Sequence, residues 1–86
     1  IMMTRNEIRE KTIQIIKENL PEFKNRDLQD QTKINTAQGL DSRTFIYVRC
    51  KIESFFDIHI PDKKWAKRQT LADRVSTIEN ALRKKA

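Results

Sequence analysis

Apolar residues recur at helical spacing in three separate segments of the chain, and the first segment covers residues 4–20. Thr4 and Glu7 have the spacing of a capping box, which marks the start of a helix. Pro21 ends the segment, because the residue before a proline is pushed out of the α-helical region. The stripe predicted to face the core consists of Ile8, Thr12, Ile15, Ile16 and Leu20.

The second and last segments also predict helices. The second helix is expected from about Ser42 to Phe56, with Asp41 or Ser42 as its N-cap. The last helix begins after Thr70, where Asp73 completes another capping box. The core-facing line of the second helix is predicted to be Phe45, Val48, Ile52 and Phe55, widened by Ile46, Cys50 and Phe56. The corresponding line of the last helix is Leu71, Val75, Ile78 and Leu82.

The remaining chain is predicted to connect these helices. Residues 21–41 have no sustained period, so we expect a long first loop, with Gly39 allowing a turn at its end. Residues 57–61 are predicted to be extended, and residues 62–68 to form a short helix. The pattern predicts an all-α fold: a small four-helix bundle with three main helices, one short helix and a long first loop. The side chains expected to pin that loop to the core are Phe23, Leu28, Ile34 and Leu40.

Length and composition narrow the class of protein. The chain of 86 residues predicts one domain, residues 1–86, of which residues 1–3 are expected to be disordered or a remnant of cloning. One Cys makes no disulfide framework, and one Cys with one His makes no structural zinc site. No apolar run approaches membrane-spanning length, and the first residues do not form a signal peptide. We therefore expect a cytoplasmic monomer.

The charge is unevenly distributed. Residues 1–42 hold seven basic and seven acidic residues, whereas residues 43–86 hold eleven and five, which is the whole net charge of +6. A basic half favours acidic partners, such as a nucleic acid, an anionic membrane surface or an acidic protein face. The densest cluster, residues 63–68, surrounds Trp65. It is interpreted as a solvated short helix with Trp65 at the core edge, a protein-docking site, or a patch for nucleic acid or anionic lipid.

Residue types suited to catalysis are scarce. His59 is the only histidine, and its position between Ile58 and Ile60 predicts a place at the edge of the core. Cys50 is predicted to be a residue of the helix face rather than a reactive thiol. A single glycine cannot build a phosphate-binding loop. The sequence therefore does not predict an enzyme.

The segment Gly39-Leu40-Asp41-Ser42 is the most informative part of the chain. It places a hydroxyl where a helix is predicted to begin, and backbone N–H groups and the helix dipole favour an anion at that end. A phosphodiester on Ser42 would lie in a favourable field. The alternative is that Asp41 and Ser42 only cap the helix.

The chain resembles the acyl carrier protein family, the phosphopantetheine-attachment domains, over nearly its whole length. Gly39-Leu40-Asp41-Ser42 matches the attachment motif of that family, and Phe56 to Asp62 is similar to the segment that ends its second helix. The end of the first helix, at Leu20, and the start of the last helix, at Thr70, also fall at the family's spacing.

This resemblance implies a carrier that is not itself an enzyme. A phosphopantetheinyl transferase would attach 4′-phosphopantetheine to Ser42, with Asp41 helping the transferase and its magnesium to engage. The arm would hold acyl or aminoacyl groups as thioesters, as in fatty-acid, polyketide or amino-acid pathways, and pass them between loading, transferring and synthase enzymes. The bundle would open slightly to shelter an apolar chain.

The chain departs from the family where partners bind. Fatty-acid carriers are strongly acidic along the second helix, whereas this chain is basic there, which predicts a specialised pathway with acidic or neutral partner faces. Phe45 and Tyr47 are expected either to be core and rim or to line the mouth for a bound chain. Two other functions stay open: an interaction subunit with unmodified Ser42, and a basic nucleic-acid-binding adaptor. The residues predicted to bind partners are Arg43, Tyr47, Arg49, Lys51, Lys63 and Lys64.

Overall fold

The computed structural model describes residues 3–34, 43–67 and 70–85. Within these ranges it contains helices and no strand, and α1 packs against both α2 and α4. This confirms the predicted all-α four-helix bundle. The helices are α1 (Arg5–Asn19), α2 (Arg43–Phe56), α3 (Asp62–Lys67) and α4 (Leu71–Lys85), with a 3-10 turn at Pro21–Phe23.

Helix α1 begins and ends where the sequence predicted. The Thr4 hydroxyl accepts a hydrogen bond from the Glu7 backbone N–H at 3.1 Å, and the Glu7 carboxylate accepts from the Thr4 N–H at 2.8 Å. Leu20 leaves the helical region just before Pro21. All five residues of the predicted stripe are buried. Met3 packs partly buried against the core.

Helix α2 buries a slightly different line from the predicted one. Phe55 is 50% exposed, and Phe56 takes the predicted place of Phe55 in the core. The helix turns about 100° per residue. Phe56, four residues after Ile52, therefore lies closer to the centre of the buried stripe than Phe55, three residues after it. Ile46 and Cys50 are also exposed instead of widening the core. The predicted N-caps, Asp41 and Ser42, lie outside the described residues.

The chain leaves α2 through a left-handed residue. Asp57 has φ 55°, which corrects the prediction that the extended segment begins there. The Ile58 N–H donates to the Glu53 carbonyl and the Asp57 N–H to the Ser54 carbonyl, the bonding pattern of a Schellman helix end. This turn leads the chain back so that Ile60 is fully buried before α3 begins.

The first loop is tied to the start of α4. The Leu71 N–H donates to the Thr32 carbonyl at 2.8 Å, and the Ala72 N–H donates to the Asp30 carbonyl at 3.0 Å. These bonds use backbone donors that the first turn of a helix leaves unpaired. Phe23, Leu28 and Ile34 are buried as predicted, and Leu40 lies outside the described residues. The reciprocal cap of Thr70 and Asp73 is present, as predicted.

Among the described residues, no helix has the length and apolar character needed to cross a membrane.

Candidate functional site

The predicted attachment segment ends where α2 begins. Gly39, Asp41 and Ser42 lie outside the described residues, so their roles stay predictions. Arg43 follows Ser42 directly in the sequence and is the first residue of α2, a helix of 14 residues. The first turn of α2 contains no acidic residue, so no carboxylate there offsets the positive end of the helix dipole. This end of α2 therefore favours a negatively charged group.

On the inner side of α2, near this end, Phe45 packs against Trp65 of α3 and Arg74 of α4. The Phe45 and Trp65 rings meet edge to face, with centroids 6.5 Å apart. The Arg74 guanidinium carbon lies 5.3 Å from the Phe45 centroid and 5.6 Å from that of Trp65. We call these three residues the aromatic–arginine cluster. It joins α2, α3 and α4.

Arg74 is buried, with only 2% of its surface exposed, and it links two parts of the backbone. Its guanidinium donates to the Ile34 carbonyl at 3.1 Å and to the Trp65 carbonyl. Ile34 is the last described residue before the predicted attachment segment, and Phe45 is the third residue of α2. Arg74 therefore contacts both flanks of the segment that carries Ser42.

Burial lowers the pKa of Arg74 to about 10, an effect that the neighbouring charge of Asp73 partly offsets and that of Arg49 adds to. The guanidinium remains protonated at neutral pH. The sequence prediction missed Arg74, although its spacing from Leu71 and Ile78 places it on the buried face of α4. That spacing was the available signal.

Arg49, a predicted partner-binding residue, lies largely inside the bundle. Its side chain is 16% exposed and forms an ion pair with Asp62, the first residue of α3. Its guanidinium carbon lies 5.4 Å from the Trp65 centroid, so Arg49 and Arg74 both pack on that indole. Most of the Arg49 side chain is thus used to hold α3 against α2.

The opposite side of α2 is exposed, apolar and basic. Tyr47 is 54% exposed, and the Lys51 ammonium lies 5.5 Å from the centre of its ring. Phe45 is buried in the core, whereas Tyr47 lies on the surface. Lys63 and Lys64 are exposed on α3. The outer face of α2 is defined here as Arg43, Ile46, Tyr47, Cys50 and Lys51.

The structure also gives the positions of three other residues that the sequence singled out, Trp65, His59 and Cys50. Trp65 is only 2% exposed, deeper than the predicted core edge, and its indole is not available for stacking on a nucleic-acid base. The His59 side chain is 86% exposed, so its predicted place at the core edge is wrong. It lies 3.8 Å from the Glu53 carboxylate. Cys50 is an exposed residue of α2. The described residues contain no cluster of ligand types suited to a metal ion.

A cleft of about 600 Å³ lies at the other end of α2. Phe55 and Phe56 line it together with the first residues of α1 and the last turn of α4. Its position separates it from the first turn of α2.

Comparison with known proteins gives a distant similarity. The chain is 28% identical over 79 residues to the mitochondrial acyl carrier protein of Saccharomyces cerevisiae. The aligned region covers 88% of this chain and 63% of the yeast protein, so the chain spans less than two thirds of that relative. No family model matches the chain, and no solved structure matches it significantly. The chain is therefore an all-α bundle with distant similarity to an acyl carrier protein.

Proposed function

We propose that this chain is a carrier protein that holds acyl or aminoacyl groups as thioesters on a 4′-phosphopantetheine arm attached to Ser42. The main support is the position of the Gly39 to Ser42 motif, which directly precedes α2 in a four-helix bundle. The distant similarity to a carrier of Saccharomyces cerevisiae is consistent with this role. The protein would then be the substrate of a phosphopantetheinyl transferase and would itself catalyse no reaction.

Attachment of the arm is a displacement at phosphorus. The Ser42 oxygen would bond to the phosphorus of coenzyme A that bears the pantetheine. The bond from that phosphorus to the adenosine bisphosphate would break, and the serine proton would leave with the departing group. The product is a phosphodiester anion, which the positive end of the α2 dipole stabilises. Asp41 is proposed to help the transferase and its magnesium ion engage.

The outer face of α2 is proposed as the docking surface for partner enzymes. Tyr47 and Ile46 offer apolar area, and Arg43 and Lys51 add positive charge beside it. Lys63 and Lys64 extend the positive charge along α3, whereas Arg49 exposes little surface for docking. Opposite charges steer association and like charges slow it. We therefore propose dedicated partners with acidic or neutral faces and a specialised pathway rather than bulk fatty-acid synthesis.

The test of the attachment site is the intact mass after incubation with coenzyme A and a phosphopantetheinyl transferase. We expect the mass to rise by one phosphopantetheine group. The Ser42→Ala variant should not gain mass, because it lacks the accepting oxygen. The matched control is Ser54→Ala, which removes the hydroxyl of an exposed serine elsewhere on α2 and should leave the mass gain unchanged.

An unchanged mass with several transferases would contradict the proposal and favour an unmodified interaction subunit. The cellular location stays a prediction: a cytoplasmic protein is expected from the sequence, whereas the similar yeast protein is named as mitochondrial.

A further inference from the structure

The interior beside the first half of α2 is filled by the aromatic–arginine cluster. Phe45 lies three residues after Ser42 in the sequence, and its ring is buried. The indole of Trp65 and the guanidinium of Arg74 occupy the space beneath it, between α2, α3 and α4. A cargo that entered the bundle from the start of α2 would have to displace these side chains.

The charge of Arg74 makes this space unsuitable for hydrocarbon. The guanidinium is held by the carbonyls of Ile34 and Trp65, and burial lowers its pKa to about 10, which leaves it charged at neutral pH. Among the described residues, its Nε and the indole N–H of Trp65 have no hydrogen-bond partner. A hydrocarbon chain offers neither an acceptor for these donors nor solvation for the charge.

Trp65 is also held from several sides. Its ring packs against two guanidinium groups, those of Arg49 and Arg74, and meets the edge of Phe45. The ion pair of Arg49 with Asp62 fixes the start of α3 to α2. Moving the indole to admit a chain would therefore disturb contacts that join three helices.

We infer that a cargo carried on Ser42 stays outside the bundle and is a short or polar acyl group, such as an aminoacyl group, rather than a long hydrocarbon chain. This inference rests on the proposed function and opposes the expectation that the bundle opens to shelter an apolar chain. A long chain left in water would associate with other apolar surfaces. Each methylene group buried in this way raises the association constant by about fourfold. A carrier without internal shelter therefore suits cargo with few methylene groups.

The first test compares acetyl and octanoyl groups on the arm. Both are loaded onto Ser42 from the corresponding acyl coenzyme A by a transferase, and intact mass verifies the loading before any rate is measured. The rate of thioester cleavage by hydroxylamine then reports exposure. We expect equal rates for both groups. Octanoyl cleavage slower by roughly 16-fold, which burial of two methylene groups at about fourfold each would produce, would overturn the inference.

The second test needs no transferase, so it separates a failure of the inference from a failure of the proposed function. The double variant Ser42→Cys, Cys50→Ser carries one thiol at the attachment position, which is joined by a disulfide to octanethiol or methanethiol. We expect the two adducts to unfold at the same temperature. A higher Tm for the octyl adduct would indicate burial of the chain and would contradict the inference.

A variant that opens the cluster tests the assigned cause. Trp65→Ala, or Trp65→Leu if the alanine variant does not fold, should make octanoyl cleavage slower than acetyl cleavage. Phe55→Ala removes another aromatic ring of the bundle, at the distal end of α2, and should keep the rates equal. Equal rates in a folded Trp65 variant would show that Trp65 does not exclude the chain, and the inference would fail.

Discussion

At the scale of single residues, Arg74 differs most from what its residue type suggests. Charged residues are seldom fully buried, yet Arg74 is 2% exposed and packs against two aromatic rings. A guanidinium can donate in two directions from a planar group, which lets one side chain bind the carbonyls of Ile34 and Trp65 together. Burial of this charge is unfavourable, and these bonds offset the cost.

Replacement of Arg74 by lysine should destabilise the protein although the charge is kept. The ammonium group cannot reproduce the planar pair of donors, so one buried carbonyl loses its partner, at a cost of about 1–3 kcal/mol. The matched control, Arg83→Lys, alters an exposed arginine of the same helix and should change stability by less than about 0.5 kcal/mol. The measurement is the free energy of unfolding in denaturant. Equal effects of the two substitutions would refute the structural role of Arg74.

At the scale of elements, the end of α2 decides how α3 is reached. The left-handed conformation of Asp57 closes the helix and turns the chain toward Ile60, which is buried. The Lys85 ammonium lies 2.9 Å from the Asp57 carboxylate, and this hydrogen bond and charge lower the pKa of Asp57 from its usual 3.8. The pair therefore joins the ends of α2 and α4, and its contribution is lost as the pH falls through the lowered pKa.

Two substitutions of Asp57 should have opposite effects. Glycine adopts positive φ without steric strain. Asp57→Gly should therefore leave the free energy of unfolding unchanged or raise it by up to about 1 kcal/mol. Valine is strained at positive φ, and Asp57→Val should lower the free energy of unfolding by about 1–2 kcal/mol. Both variants lose the ion pair with Lys85, so the difference between them isolates the backbone conformation. Thermal unfolding measures it, and equal Tm values for the two variants would be inconsistent with the turn described.

An element could be predicted from the sequence where its residues permit few alternative structures. Both capping boxes were predicted because their residue types and spacing allow little else. The pattern did not decide between Phe55 and Phe56 because they lie on opposite sides of the buried stripe at similar angles from Ile52, and tertiary packing selected Phe56. Arg74 was missed because a charged residue is not assigned to a core from pattern alone. The attachment segment was predicted from its motif, and both its role and its placement stay predictions.

At the scale of the whole molecule, charge is expected to decide which enzymes the proposed carrier meets. The excess of basic residues lies in the second half of the chain, which includes the outer face of α2. An enzyme with a basic docking face would be repelled, whereas one with an acidic face would be attracted over the distance that salt allows. The bundle would thus distinguish partners before any close contact forms.

A charge reversal on this face tests the selection of partners. With an enzyme that has an acidic docking face, Lys51→Glu should lower the transfer rate by up to about tenfold at low salt and much less at high salt. Lys24→Glu changes the net charge equally, outside α2, and should have a smaller effect. Transfer rates over a salt series provide the measurement. The proposed docking surface is wrong if the two variants behave alike or if the rates do not respond to salt.

The position of Trp65 gives the protein an internal optical probe. The chain has one tryptophan, and that indole lies between two guanidinium groups at the junction of α2, α3 and α4. Its fluorescence therefore originates from a site where these three helices meet, without any added label. Emission from a dry, enclosed indole is expected at short wavelength, and separation of the helices would move it to longer wavelength as water enters. The spectrum would thus follow, in real time, whether the bundle stays closed while the proposed arm is loaded and unloaded.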